Sequence, residues 1–174
     1  VFGNHHAVFP TVTRVNAASM VTGRYPGNHG LVANTVVFRD FDPHLAFSAL
    51  EPTLSRVSAK LGSVLLTPTL AAILSSHGEE YASVVSGTSG NAYVHNPNAE
   101  RSGGATIHPE FCLPVPLHEE IVSRFGPWAE EAEPNTGRMS RAVEILTEYV
   151  LQGKRPAVSL LWLSEPDHTQ HAHG

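Results

Sequence analysis

Thr13 is the residue in this sequence whose setting best suits a chemical role. Residues 16–22 have the small, apolar composition of a short buried helix, which Gly23 would end. Thr13 is therefore predicted to lie just ahead of a helix N-terminus, where unpaired backbone N–H groups and the helix dipole favour an anion. A hydroxyl at such a place could attack a phosphoryl group. An N-cap threonine without any chemistry would have the same neighbours.

A second set of reactive side chains follows residues 157–163, an apolar run that is predicted to be a buried strand. Asp167 and His171 stand four positions apart after this run and could converge on one cation. Carboxylate and imidazole are common zinc ligands, and a catalytic zinc keeps one coordination position open, so two or three protein ligands suffice. The alternative is a solvated polar loop with incidental histidines.

The elements that must position these motifs alternate along the chain. Helices are predicted over residues 67–78, with Thr67 as the cap, 116–125 and 138–151, and strands over 31–38, 81–86 and 157–163. Segments 38–52 and 96–104 are predicted to be loops, and Gly87 to Gly90 a turn that could touch substrate. This order indicates an α/β fold with a largely parallel sheet and helices on both faces. Ligands of such sheets bind at the carboxyl ends of the strands, where both motifs are expected to meet.

Composition narrows the class of protein. The 174 residues, of which 41% are hydrophobic, suit a single catalytic domain over 1–174. The net charge of -5 argues against a nucleic-acid surface, and no apolar run approaches the roughly 20 residues needed to cross a bilayer. Cys112 is the single cysteine and cannot form an internal disulfide. The chain lacks an initiator methionine and stops inside the second motif, so we expect it to be a fragment of a longer domain.

Together the two motifs resemble the type I phosphodiesterase/nucleotide pyrophosphatase family of the alkaline phosphatase superfamily. That family has an aromatic-Pro-Thr-x-Thr segment, an Asn, Thr-Gly-x-x-Pro-x-x-His-Gly and a final Asn. The corresponding residues here are Phe9-Pro10-Thr11-Val12-Thr13, Asn16, Thr22-Gly23, Pro26, His29-Gly30 and Asn34. Arg14-Val15 depart from the usual Phe-Pro. The family's Pro-Asp-x-x-x-His-x-x-Gly is matched by Pro166, Asp167, His171 and Gly174.

The resemblance implies an alkaline phosphatase-like fold and hydrolysis of a small phosphodiester, nucleotide or phosphonate substrate. It implies two Zn2+ ions in a complete active site. Thr13 would be the nucleophile bound to one zinc, Asn34 would help to hold a phosphoryl oxygen, and Asp167 and His171 would bind the other zinc. The family's remaining ligands, an upstream Asp and a downstream Asp-His-Gly with a final His, have no counterpart in the chain.

Four other histidines have no role in this scheme. His168 and His173 fall on positions that the family does not fix, and His5 and His6 precede the nucleophile where the family has no ligand. Two alternatives stay open: a phosphonate hydrolase of the phosphonoacetate hydrolase type, which also uses a threonine, and a non-catalytic binder of phosphorylated ligands. A sulfatase is disfavoured, because the Cys-x-Pro-x-Arg signature of that class is replaced by threonine.

Overall fold

The computed structural model describes residues 3, 4 and 6–174, so His5 lies outside the described residues. Helices and strands follow one another in this order: α1 Thr13–Thr22, α2 Pro26–His29, β1 Thr35–Val36, β2 Phe47–Ser48, α3 Glu51–Leu61, α4 Leu70–Ser76, β3 Tyr81–Val85, α5 Ser89–His95, α6 Ala99–Ser102, β4 Ala105–Ile107, β5 Cys112–Leu113, α7 Leu117–Phe125, α8 Thr136–Glu144, a π-helix Ile145–Lys154, β6 Val158–Trp162 and α9 Asp167–His173.

The main sheet has the strand order β5-β4-β3-β6. The central strand β3 pairs in parallel with β4 on one side and with β6 on the other, while β5 is an antiparallel edge. All five residues of β3 are buried, which explains its uninterrupted apolar sequence. β1 and β2 form a separate antiparallel pair. The predicted α/β class with a largely parallel sheet is confirmed.

Two apolar clusters pack the helices against the sheet. Ala82 and Val84 of β3 belong to a cluster that contains residues of α7, α8 and the π-helix. The other cluster joins α1, α3 and α5, and Trp162 of β6 packs against it. Successive side chains of a strand point to opposite faces, so the sheet carries helices on both faces, as expected.

Helix α1 begins at Thr13, three residues before the predicted start, and ends at Gly23, whose φ is 62°. The Asn16 N–H donates to the Val12 carbonyl at 3.1 Å and so closes the first turn. Five of its ten residues are buried, namely Val15, Ala17, Ala18, Ser19 and Val21. The prediction that Thr13 lies at a helix N-terminus is confirmed.

Several predicted loops contain helices, because capping residues there resemble turn residues. The predicted turn from Gly87 is the start of α5, where Thr88 accepts a hydrogen bond from the Asn91 N–H at 3.4 Å. Residues 51–61, partly assigned to a loop, form α3, since Pro52 suits the first turn of a helix. In residues 96–104 the structure has α6 and a buried Asn96 instead of an exposed loop.

The remaining corrections concern element ends. α4 starts at Leu70 with Thr69 rather than Thr67 as its cap, because the Thr69 hydroxyl reaches the Ala72 N–H at 3.2 Å. The strand predicted over 31–38 shortens to β1, because β2, its partner, is two residues long. The helix predicted over 138–151 is α8 followed by the π-helix. The second motif lies on α9 and not on a loop, although its sequence has no apolar stripe.

Candidate active site

A cavity of about 840 Å³ contains residues of both sequence motifs. Thr13 lines it from α1, and Asp167 and His171 line it from α9. Residues that follow β3 and β6, such as Ser86 and Ser164, complete the wall. The cavity therefore lies at the carboxyl ends of two adjacent parallel strands, the usual ligand position in such sheets. A smaller cavity of about 230 Å³ is lined by other residues and by none of the proposed site residues of the two motifs.

Thr13 is held at the cavity by the segment before it. Asn16 accepts a hydrogen bond from the Val8 N–H at 2.8 Å and donates to the carbonyls of Pro10 and Val12 at 3.3 and 3.0 Å. These bonds fix the chain as it enters α1. The motif asparagine thus orients the segment that carries the threonine, whose own side chain stays exposed.

Asn34 is not among the residues that line the cavity. Its carbonyl accepts a hydrogen bond from Arg14 Nη1 at 3.2 Å, and its Oδ1 is buried with no partner among the described residues. Arg14 Nε also reaches the Thr88 hydroxyl at 3.4 Å. Burial lowers the pKa of Arg14. The residue that departs from the family pattern therefore connects α1 to the segments of Asn34 and Thr88.

Asp167 and His171 lie on the same face of α9, one helical turn apart. His171 Nε2 is 3.6 Å from Asp167 Oδ1, and the two side chains are 83% and 76% exposed. The donor types suit zinc, and the pair provides two ligands. Within the described part of the chain, no group of three or more His, Cys, Asp and Glu side chains could share a metal ion.

The other histidines of α9 lie near the carboxylate of Glu133 instead of near Asp167. His168 Nε2 and His173 Nε2 both lie 3.7 Å from carboxylate oxygens of Glu133. His168 also lines the cavity, whereas His173 does not. His6 is exposed and lies outside the cavity lining.

Glu165 is a positioning residue that the sequence motifs did not reveal. Its carboxylate accepts hydrogen bonds from the Asn135 N–H at 2.8 Å and from the Thr169 N–H at 3.1 Å. The hydrogen bond from Asn135 is the main cause of its lowered pKa. Glu165 thus connects the start of α8 to the first turn of α9, which carries Asp167. No signal in the sequence indicated this role, because residues 167–173 lack the apolar stripe that would predict the helix after Glu165.

The floor of the cavity is held by bonds between the two strand ends. The Ser86 hydroxyl accepts a hydrogen bond from the Ser164 N–H at 3.1 Å, and the Ser86 N–H donates to the Trp162 carbonyl at 2.9 Å. His108 Nε2 contacts the Gly87 carbonyl at 2.8 Å, and its Nδ1 accepts from the Glu110 N–H at 3.1 Å. His108 is therefore neutral with the proton on Nε2, and burial lowers its pKa.

The motif residue His29 has a structural position. The Leu31 N–H donates to its Nδ1 at 3.2 Å, so Nε2 carries the proton and donates to the Ser19 hydroxyl at 2.9 Å. The side chain is fully buried, and burial lowers its pKa. His29 thus joins α2 to the buried face of α1.

Comparison with known proteins identifies the family of the chain. The family model described as type I phosphodiesterase / nucleotide pyrophosphatase matches residues 1–174. A search of curated proteins finds no match. None of the helices in the described residues is long and apolar enough to cross a membrane. The match covers the whole sequence, and the chain belongs to the type I phosphodiesterase/nucleotide pyrophosphatase family, whose activity is that of a hydrolase.

Proposed function

We propose that the chain cleaves phosphodiester or pyrophosphate bonds with Thr13 as the nucleophile. One observation carries this proposal: Thr13 and the Asp167–His171 pair line a single cavity, although they lie at opposite ends of the chain. Family membership supports the reaction class, and a small phosphodiester or nucleotide is the substrate that it implies.

The proposed reaction has two displacements at phosphorus. Thr13 Oγ attacks phosphorus, the bond to the leaving oxygen breaks, and a phosphothreonine ester forms. Water then attacks the same phosphorus and releases the threonine hydroxyl. The backbone N–H of Thr13 would stabilise the added negative charge, a contribution of roughly 3–4 kcal/mol per donor in comparable sites. Asn34 does not line the cavity, so its side chain would have to turn towards the phosphoryl group to act as a second donor.

We propose zinc as the cofactor, with Asp167 and His171 as two ligands of one ion and Thr13 as a ligand of a second. The side chains of α9 fit this role in donor type and mutual distance. When bound, zinc supplies Lewis acidity that lowers the pKa of a coordinated hydroxyl and offsets phosphoryl charge. Asp167 and His171 give two of the three protein ligands that catalytic zinc usually has.

The test is hydrolysis of bis(p-nitrophenyl) phosphate, p-nitrophenyl phosphate and a p-nitrophenyl phosphonate ester by the full-length protein in the presence of zinc. We expect the diester to be the best substrate and Thr13→Ala to lose activity about 10⁴-fold or more, while Thr13→Ser retains part of it. Thr136→Ala is the matched control, because Thr136 is also an exposed first residue of a helix but does not line the cavity. Full activity in Thr13→Ala would overturn the proposal.

A further inference from the structure

Asn91 places an unpaired amide in the wall of the cavity. The residue is fully buried, and neither Nδ2 nor Oδ1 has a hydrogen-bond partner among the described residues. It nevertheless lines the cavity, from the first turns of α5. More than nine in ten buried polar groups in proteins are paired, and an unpaired one destabilises the fold. An amide with both ends unpaired at a cavity wall therefore indicates a ligand group that pairs with it.

Two more unpaired polar atoms lie in the same wall. Asn135 Oδ1 and Ser164 Oγ are buried without partners in the described chain, and both residues line the cavity. The backbone of Ser164 is bonded to Ser86, and a Cβ added to the next residue, Gly87, would lie 3.7 Å from Asn91 Nδ2. The backbone of Asn135 is bonded to Glu165, the neighbour of Ser164. These contacts place the three residues near the ends of β3 and β6, in the wall of one cavity.

The charges around the cavity disfavour a second anionic group on the ligand. Among the described residues that line it, Asp167 is a proposed zinc ligand, and the other two carboxylates, those of Glu110 and Glu131, accompany one permanent cation, Arg138. Arg138 Nη1 lies 3.4 Å from Glu131 Oε2, so its charge is already compensated. An uncharged ligand group is not repelled by these carboxylates and needs no free cation to bind, so the lining favours it over an anionic group.

We infer that Asn91, Asn135 and Ser164 form a subsite for the uncharged alcohol group of the phosphoester, and that this alcohol carries a vicinal diol. The inference rests on the proposed function, which supplies the phosphoester. Asn91 can donate and accept at once, Asn135 Oδ1 accepts, and the Ser164 hydroxyl does either. A pair of adjacent hydroxyls offers the matching donors and acceptors, which a plain alkyl group lacks and a carboxylate cannot supply.

Asn96 provides an internal comparison for Asn91. It is also buried, five positions further along, but its Nδ2 donates to the carbonyls of Tyr81 and Gly103 at 3.4 and 3.2 Å. Its Oδ1 accepts from the Ser102 hydroxyl at 3.1 Å. The Asn96 amide thus serves the fold, whereas the Asn91 amide has no such bonds to lose.

The experiment compares p-nitrophenyl 2,3-dihydroxypropyl phosphate with p-nitrophenyl propyl phosphate, which share a leaving group. We expect kcat/KM to favour the diol by at least about tenfold in the unmodified protein, because an unpaired polar site discriminates against an analogue without hydroxyls. Asn91→Leu should abolish the preference and Ser164→Ala should reduce it, mainly through a lower kcat/KM for the diol ester. Ser140→Ala, at an exposed position outside the cavity lining, is the control.

A second measurement separates this inference from the proposed reaction. Calorimetry on Thr13→Ala, which lacks the proposed nucleophile, with the 2,3-dihydroxypropyl and propyl monoesters of methylphosphonic acid gives the binding preference without turnover. A diol preference in binding that Asn91→Leu removes supports the subsite even if no ester is hydrolysed. Hydrolysis of both esters with equal kcat/KM and equal affinity would overturn the subsite and leave the proposed function standing. The melting temperature of each variant shows whether the fold is intact. Asn96→Leu should lower the melting temperature, and Asn91→Leu should not.

Discussion

The two walls of the cavity are built in opposite ways. The α1 wall is part of the core: half of the helix is buried, and the segment before Thr13 is fixed by three hydrogen bonds of Asn16. The α9 wall has no buried residue, and Asp167 and His171 are mostly exposed. Packing and the hydrogen bonds of Asn16 therefore place the threonine, whereas the carboxylate and imidazole depend on Glu165 and on whatever they bind. Within one candidate site, the threonine is therefore held in place by the fold, whereas the carboxylate and the imidazole are not.

The sharpest way to test this contrast is Asp167→Ala. If the proposed metal role is correct, kcat/KM falls about 10³-fold, since a lost ligand removes several kcal/mol of charge stabilisation. The melting temperature in EDTA should stay within about 1 °C, because no residue of α9 is buried and an exposed side chain contributes little to stability. Asp40→Ala, at another exposed aspartate, is the control for both measurements. A large loss of stability in EDTA would place α9 in the core and erase the contrast.

The α1 wall should respond in the reverse way to Gly90→Ala. A Cβ at Gly90 would overlap the Ala49 carbonyl, so α5 would be pushed away from the segment between β2 and α3. It would also lie 3.1 Å from Arg14 Cδ, so the side chain of this α1 residue would have to move. Urea unfolding should show a loss of about 3 kcal/mol, at the upper end for overpacked sites. Gly27→Ala is the matched control, because a Cβ there meets nothing within 4 Å and φ is not positive. Equal stability of the two variants would show that the contact of α5 with the Ala49 backbone and Arg14 is loose.

The buried histidines should make the α1 side of the molecule sensitive to acid. Burial lowers the pKa of His95 to about 4, below the roughly 6.5 of an unfolded chain. The unfolded state then binds more protons, so stability falls as the pH decreases from about 6.5 towards about 4, by about 1.4 kcal/mol per pH unit. The pKa values of His29 and His108 are lowered in the same direction. Urea unfolding between pH 7 and pH 5 measures the slope, and His95→Gln should reduce it.

Glu165→Gln should give the smallest effect, and it tests how α9 is held. Gln keeps an acceptor but loses the charge that strengthens the bonds to the N–H groups of Asn135 and Thr169. We expect about a tenfold loss of kcat/KM through misplacement of Asp167, as for other residues that orient metal ligands. Added zinc should recover part of the rate, which a purely structural role would not allow. Glu130→Gln, an exposed substitution outside the cavity lining, should leave the rate unchanged.

Elements with a continuous apolar run or a clear stop were predictable from the sequence, and elements that begin with a turn-like cap were not. β3 and β6 have continuous apolar runs, although β3 is buried and the edge strand β6 is only half-buried, and Gly23 marks the end of α1. α5 was missed because Gly87-Thr88-Ser89-Gly90 reads as a turn, although Thr88 is a helix cap. α9 was assigned to a loop because residues 167–173 lack apolar periodicity, and helices without such a stripe leave no pattern.

The candidate site was predictable only in part. Thr13, Asp167 and His171 were identified by resemblance, and the structure brings them to one cavity. Their catalytic and metal-binding roles, and that of Asn34, stay predictions. The sequence could not identify Glu165, Asn91 and Asn135. Their roles depend on which residues distant in sequence they contact or fail to contact. Hydrogen bonds between residues far apart in sequence leave no local signal.

The hydrogen bond between Ser86 and the Ser164 N–H has a consequence for the order in which the molecule is assembled. It joins residues 78 positions apart, and β6 itself pairs with a strand that was made much earlier. Closing so long a loop costs entropy that local contacts do not, so such pairings form late. During synthesis, β3 can pair with β4 first, and its other edge stays unpaired until β6 leaves the ribosome. The cavity wall that follows β6 is thus added last, and a chain interrupted before β6 lacks that wall and has a free edge along β3.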